Sequence, residues 1–307
     1  MSYSIEVTDL SKRFGKFAAV DNISFTVEKG RIVGFLGANG AGKSTTIKML
    51  CAILNSTSGT AKVAGYDIDE QPESVKKHIG YMSQKFSLYE DLTVEENIEF
   101  FGGIYGMSNT QLKQRKNWAL EMAGLKGLEN SIAKSLPGGW KQRLALGCAG
   151  LHDPEVIFLD EPTGGVDPVS RRNFWDLIHD FSEKGATVFV TTHYLDEAEY
   201  CHEIMLIHAG KIVAGGSPVE MKQKYLKHNI FDVTTDNPIE NMTSLQKEAW
   251  IKETSLFGNK LHLSIDSQYK EDFVLKNLRE HGYDFNKIDK VVPTLEDVFI
   301  HLVEDKN

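Results

Sequence analysis

The sequence predicts an α/β body with a largely parallel sheet, followed by a smaller α+β unit. Three observations lead there. Short apolar runs at Arg31–Leu36, Val156–Leu159 and Thr187–Val190 read as buried strands, with helix-like stretches between them. Residues 86–135 hold no convincing strand and read as an inserted helical subdomain. After Gly215-Gly216-Ser217-Pro218 the pattern breaks and a new order of elements begins. A chain of 307 residues suits two domains at roughly 150 residues each. The boundary is expected near residue 222, giving domains 1–222 and 223–307.

The elements follow in order. Ile5 to Val27 alternates apolar and polar residues around Gly15, which predicts an antiparallel β-layer. The strand at Arg31–Leu36 runs into glycines, and Thr45 to Leu54 has helical spacing. Thr93-Val94-Glu95-Glu96 fits a capping box, with Ile98, Phe100 and Phe101 as the apolar face behind it. Gln111 to Ala123 is helix-like again. Beyond a connecting helix at Met221–Leu226, the expected order is a strand at Phe231–Thr235 and a helix at Met242–Glu248. Two strands then flank Gly258-Asn259, a helix covers Glu271–His281, and a last strand precedes Pro293. That β-α-β-β-α-β order is the ferredoxin-like arrangement.

Composition limits the function classes. The formal net charge is −9, which argues against a phosphate-gripping nucleic-acid protein, and no dense basic cluster offsets it. Cys51, Cys148 and Cys201 form no CxxC pair and read as buried thiols. No run reaches the ~18 apolar residues that cross a bilayer, and the first residues do not look like a secretory signal. A cytoplasmic protein with no transmembrane segment of its own is expected, so any membrane role must come through a partner.

Gly37-Ala38-Asn39-Gly40-Ala41-Gly42-Lys43-Ser44 carries the chemistry, between a buried strand and a helix. Its spacing is that of a phosphate-binding loop, and the fold class is therefore a P-loop NTPase. The glycines let backbone N–H groups turn inward on phosphate oxygens, and the helix start adds its positive end. Lys43 is expected on the β- and γ-phosphates of ATP, the Ser44 hydroxyl on Mg²⁺, and Thr45 on a nearby phosphate. Asp160 and Glu161 end the strand at Val156, on the edge where open α/β sheets bind ligands. Asp160 is expected as a Mg²⁺ partner, and Glu161 to polarise an attacking water.

Leu136-Pro137-Gly138-Gly139-Trp140-Lys141-Gln142-Arg143-Leu144 resembles the LSGGQ signature of the ABC-transporter ATPases. The resemblance spans roughly residues 3 to 220, with the motifs in the family's order. Gln84 matches the Q-loop glutamine, Asp167 the D-loop, His193 the switch histidine, and Phe14 the aromatic that stacks on adenine. The resemblance implies two subunits facing head to tail, with ATP between the phosphate loop of one and the signature of the other. Gly138 and Gly139 would reach the opposite γ-phosphate, His193 would hold γ-phosphate and water in line, and Gln84 would touch Mg²⁺ or water and sense a permease. Pro137 replaces the signature serine and removes a hydroxyl and an N–H. Trp140 replaces the glutamine and is expected to pack locally, the alternative being an approach to the ribose of the facing nucleotide. A homodimer and a heterodimer with an intact partner signature both remain open.

The ending Pro293-Thr294-Leu295-Glu296-Asp297-Val298-Phe299-Ile300 resembles ATPases serving exporters of drugs, lipids or polysaccharides. The expectation is an ATP-hydrolysing subunit coupled to a separate integral membrane permease, peripheral at the inner face of the cell membrane. The permease is expected to dock near Gln84 and Phe86–Glu95. The alternative is a soluble ATPase of the same superfamily acting on ribosomes or DNA. The other nine histidines have no metal-ligand spacing and read as ordinary surface or core residues.

Overall fold

The computed structural model describes residues 2–84, 87–225, 228–257, 260–266, 268–280, 285, 287–291 and 294–304. Phe86, Leu226, Gly258, Asn259, His281 and Pro293, named above, lie outside the described residues. The chain divides into two compact units, Met1–Pro218 and Val219–Asn307, a boundary slightly before the expected residue 222.

The first unit opens with strands β1 (Tyr3–Phe14) and β2 (Phe17–Glu28), then β3 (Ile32–Leu36) and helix α1 (Lys43–Leu50). It continues with β4 (Ser58–Val63), β5 (Tyr66–Asp67), α2 (Pro72–His78) and β6 (Ile79–Met82). Three helices follow, α3 (Val94–Ile104), α4 (Asn109–Ala123) and α5 (Gly138–Ala149). Then come β7 (Val156–Asp160), α6 (Pro168–Glu183), β8 (Thr187–Thr192), β9 (Glu203–His208) and β10 (Lys211–Gly216).

β1 and β2 pair antiparallel, and with β4 and β5 they form a four-stranded layer in the order β2-β1-β4-β5. The larger sheet runs β10-β9-β3-β8-β7-β6. Its pairs from β9 through to β6 are parallel, and only the edge strand β10 is antiparallel. β3, β7 and β8 are buried at every position, which explains why they read as unbroken apolar runs rather than alternating ones. Phe25 of β2 joins the two sheets, with its ring 6.1 Å from Phe35 and 6.0 Å from Phe189. The fully buried rings of Phe35 and Phe189 each contribute roughly 1.5–3 kcal/mol through burial.

The helical layer forms as the capping signals predict. Thr93 N–H donates to Glu96 Oε2 at 2.7 Å, and Glu96 N–H donates to Thr93 Oγ1 at 3.2 Å. Ser108 and Gln111 repeat the device at α4. Buried Asn97 donates to the Tyr89 and Thr93 carbonyls and accepts from Tyr89 N–H, which pins residues 89–93 to α3. The layer's core runs from Val94 to Leu151 and takes in Leu144 and Cys148 of α5, so it extends past residue 135.

The second unit contains α7 (Pro218–Tyr225), β11 (His228–Thr234), α8 (Pro238–Leu245), β12 (Ile251–Phe257) and β13 (Lys260–Asp266). It ends with α9 (Glu271–Glu280), β14 (Lys287–Val291) and α10 (Leu295–Glu304). Its antiparallel sheet has the order β12-β13-β11-β14, the ferredoxin-like order, and α10 is an added C-terminal helix. Inside it His262 of β13 is 5% exposed between two carboxylates, Nε2 to Asp232 Oδ1 at 2.6 Å and Nδ1 to Asp297 Oδ1 at 2.9 Å. Asp297 also accepts from the Thr294 N–H and hydroxyl, and Thr294 Oγ1 accepts from the Asp297 N–H, so the pair forms a capping box that ties the start of α10 to the sheet.

Candidate active site

Four strand ends, those of β3, β6, β7 and β8, and one helix start build the site. β3 delivers the loop Gly37–Gly42, which turns through Gly42 at φ +111° into α1. A Cβ on Gly42 would lie 2.5 Å from the Ala19 carbonyl oxygen, and one on Gly37 would lie 2.3 Å from that of Ile207. Close backbone approach therefore requires glycine at both. Ala38, Asn39 and Gly40 form the exposed crest, Ala41 is buried behind them, and Ser44 and Thr45 are half-buried.

Lys43 is 4% exposed, and its ammonium donates to the carbonyls of Gly37 at 2.8 Å and Ala38 at 3.2 Å. It also lies 3.2 Å from Glu161 Oε1. The other Glu161 oxygen accepts from Gln84 Nε2 at 3.0 Å and stands 3.2 Å from His193 Nδ1. One carboxylate thus gathers the lysine, glutamine and histidine expected at the site. Glu161 itself has φ +50°, a left-handed conformation that costs a side-chain-bearing residue roughly 1–2 kcal/mol. It aims the carboxylate at the phosphate loop from just past the end of β7.

Asp160 is 2% exposed and accepts from Ser44 Oγ at 3.0 Å. A hydroxyl and a carboxylate at this spacing form a hard oxygen pair of the kind that holds Mg²⁺. The loop Gly37–Gly42, closed to any Cβ at two positions and backed by a buried ammonium, fits a phosphate chain.

Other expected residues lie elsewhere. Phe14 is 51% exposed at the end of β1, with Lys12 Nζ 5.4 Å from its ring centroid. Gly138 and Gly139 are the first two residues of α5, with Pro137 as the cap residue. Gly139 lies so near α6 that a Cβ there would meet Ser170 Oγ at 2.6 Å. Trp140 packs on the helical core, with Arg143 5.8 Å from its ring. Asp167 caps α6 and accepts from the Val169 and Ser170 N–H groups. The Ser170 hydroxyl and those amides hold its carboxyl below the usual range. Neither Phe14, the signature glycines nor Asp167 bonds to the Glu161 cluster.

Sequence reasoning missed two groups. Thr191, fully buried in β8, donates to Asp160 Oδ1 at 2.7 Å. Glu197, also fully buried, accepts from Thr163 Oγ1 at 2.5 Å and lies 3.4 Å from Arg171 Nε. That link joins Thr163, just past β7, and Arg171 of α6 to the segment after His193, and burial raises the Glu197 pKa. Neither residue sits at a motif position, so only a polar side chain in an apolar strand signalled the first.

Residues 20–164 match the protein family described as ABC transporter, and residues 216–303 match the C-terminal domain of DrrA1-3-like ATP-binding proteins. The chain is 51% identical over 218 residues to the probable multidrug ABC transporter ATP-binding protein YbhF of Escherichia coli (strain K12). That alignment covers 71% of this chain and 38% of the relative, so the chain spans well under half of YbhF. The linearmycin resistance ATP-binding protein LnrL of Bacillus subtilis (strain 168) is 32% identical over 303 residues, covering 97% of both chains. A solved ATP-binding subunit of an ABC transporter is similar at TM-score 0.66 and 30% identity, over 73% of this chain and 93% of that one. A dimeric post-hydrolysis cassette bound to ADP and Pi is similar at TM-score 0.63 and 26% identity, over 69% and 98%.

Proposed function

The chain belongs to the ATPase cassettes of ABC transporters, and from that premise we propose that it hydrolyses ATP to drive export through a separate membrane permease. The single observation that carries the catalytic part is the Glu161 carboxylate held among Lys43, Gln84 and His193, beside the Ser44–Asp160 pair. Lys43 and the glycine loop bind the β- and γ-phosphates. Ser44, Asp160 and Gln84 would hold Mg²⁺, which when bound would supply positive charge to the phosphate oxygens. Glu161 takes a proton from water as the water oxygen bonds to the γ-phosphorus. The bond from the γ-phosphorus to the bridging oxygen breaks, leaving ADP and phosphate. His193 keeps water and γ-phosphate in line, so the chemistry is mostly positioning and electrostatics. Phe14 stacks on adenine, and Gly138, Gly139 and Asp167 serve the facing subunit's nucleotide. The homodimer and the heterodimer differ in whether that facing signature also carries proline.

Export is supported by the names of the relatives, multidrug transport for YbhF and linearmycin resistance for LnrL, and by the DrrA-like C-terminal match. They lend no support to action on ribosomes or DNA. Among the described residues no helix is long and apolar enough to cross a membrane. In this reading a separate permease spans the membrane, and this chain lies at its cytoplasmic face. The permease's cytoplasmic helix docks in a cavity of about 910 Å³ lined by Ile53, Tyr81, Ile104, Tyr105, Met107 and Leu151. Ile53 and Ile104 are 55% and 60% exposed at its rim. This cavity lies on the α2 and α4 side of the helical layer, beyond the Phe86–Glu95 stretch expected from sequence.

The test is purification of the chain with and without its permease. ATP turnover that rises steeply with protein concentration, and recovery with a polytopic membrane protein, are the expected results. Turnover absent from both the isolated chain and the permease complex would reject the catalytic reading. Recovery only with ribosomes or DNA would reject the transport reading.

A further inference from the structure

We propose that Thr191 is a positioning residue that sets the metal-holding Asp160 and the water-activating Glu161 from one hydroxyl. Thr191 Oγ1 donates to Asp160 Oδ1 at 2.7 Å and accepts from the Glu161 N–H at 3.0 Å. The Glu161 N–H also donates to the Thr191 carbonyl oxygen at 3.1 Å. Thr191 is fully buried and Asp160 is 2% exposed, so water does not compete for these bonds.

The geometry explains why two adjacent carboxylates take different roles. Asp160 ends the regular ladder, paired with Thr191 across β7 and β8. Its oxygen receives two hydroxyls, Ser44 at 3.0 Å and Thr191 at 2.7 Å. When Ser44 turns its oxygen to a metal ion, the Thr191 hydroxyl still fixes Asp160. Glu161 then departs from the strand at φ +50°, and the Thr191 hydroxyl holds the amide at that turn. Without it, a strained residue loses one of two acceptors, and its carboxylate loses the aim that brings it to Lys43, Gln84 and His193. Valine has the same branched shape and no hydroxyl, whereas serine keeps the hydroxyl and loses a methyl.

This inference rests on the proposed roles of Asp160 and Glu161, so the experiment carries Glu161→Gln in parallel. Thr191→Val and Thr191→Ser are compared with the unsubstituted chain in the assembly that shows turnover. Two quantities are read: kcat at saturating ATP, and the Mg²⁺ dependence of binding of a fluorescent ATP analogue. Thr191→Val is expected to lower kcat about tenfold and to raise the half-saturating Mg²⁺ for analogue binding about threefold. Analogue binding in EDTA should stay unchanged, and Thr191→Ser should remain within about twofold of the unsubstituted chain in every readout. Unchanged kcat and Mg²⁺ dependence in Thr191→Val, or equal damage in Thr191→Ser, would overturn the proposal, the second because the methyl and not the hydroxyl would then matter. If Thr191→Val does not fold, Thr191→Cys replaces it: loss in cysteine with retention in serine supports the hydroxyl, and parity overturns it. Glu161→Gln with full turnover would reject the reading of the site itself. Glu161→Gln inactive beside a normal Thr191→Val would reject this inference alone.

Discussion

Each of the two units buries a cluster of charged groups, but the clusters are built to different ends. In the first unit Lys43, Asp160, Glu161 and His193 converge at strand ends and a loop crest, next to exposed Asn39 and Gly40. In the second, Asp232, His262 and Asp297 lie in mid-sheet and at a helix cap, and they serve to tie α10 to β13 and β11. One cluster sits beside an exposed loop crest and the other closes on itself. A buried charge is thus not in itself a sign of catalysis; its place at a strand terminus beside a glycine loop is what distinguishes the first.

That contrast can be tested, beginning where the effect is largest. Glu161→Gln should cut turnover by roughly 10²–10⁴-fold while nucleotide still binds, measured by steady-state hydrolysis and by equilibrium binding. His262→Ala should leave Asp232 with Lys260 alone and Asp297 with its Thr294 bonds alone, and destabilise the second unit by about 3 kcal/mol. Hydrogen exchange across α10 and β13 in the full chain would report it, with exchange in β7 and β8 unchanged.

A pH series sharpens the same point. Burial pushes the His262 pKa down, but its bonds and charge attraction to Asp297 and Asp232 outweigh that and raise it. For Asp297 burial pushes up, and the His262 and Thr294 bonds outweigh it and hold the pKa low. The groups facing the pair are Asp232 of β11, Lys260 of β13 at 2.7 Å from Asp232, Asp289 opposite Asp232 on β14, and Ser255 opposite His262 on β12. The His262 contribution is therefore complete below the ordinary histidine pKa and lost as pH rises through the raised value. The Asp297 contribution is complete above the ordinary aspartate pKa and lost as pH falls through the lowered one. Protection of α10 should peak between those limits, and in His262→Ala the alkaline loss should vanish.

Smaller effects concern the edges of the first unit. Ile104→Glu should reduce recovery of the permease about tenfold with intact nucleotide binding, read by quantitative co-purification. Phe14→Ala should weaken nucleotide binding by about 3- to 10-fold through lost stacking, with kcat little changed.

The first unit was the more legible from sequence because ligand chemistry constrains residue types at set spacings. The phosphate loop, the strand before Asp160 and the capping box at Thr93 could all be read directly. Strands β4, β5, β6 and β10 went unread, since they carry no long apolar run, and β9 went unread although its residues 204–207 are as apolar as Val156–Leu159, because no motif drew attention to it. Thr191 went unread, because its contact with Asp160 depends on cross-strand pairing, which sequence spacing does not reveal. His262 was read as an ordinary histidine for the same reason: its partners are 30 and 35 residues away along the chain. The ferredoxin-like order of the second unit was legible by periodicity, and α10 was not, because its ending was read only for its family resemblance.

The strand order also bears on how this protein emerges during synthesis. β3 carries the phosphate loop, yet its two neighbours in the sheet are β8 and β9, made more than a hundred residues later. β7, with its carboxylates, is separated from β3 by β8. A nascent chain ending before residue 187 therefore holds the loop and the carboxylates on strands that have no middle strand to join them. Both edges of the fully apolar β3 stay unpaired until then, in the form most prone to aggregation. The phosphate loop and the carboxylates are consequently brought together only once β8 is made, and β9 and β10 complete the sheet after it.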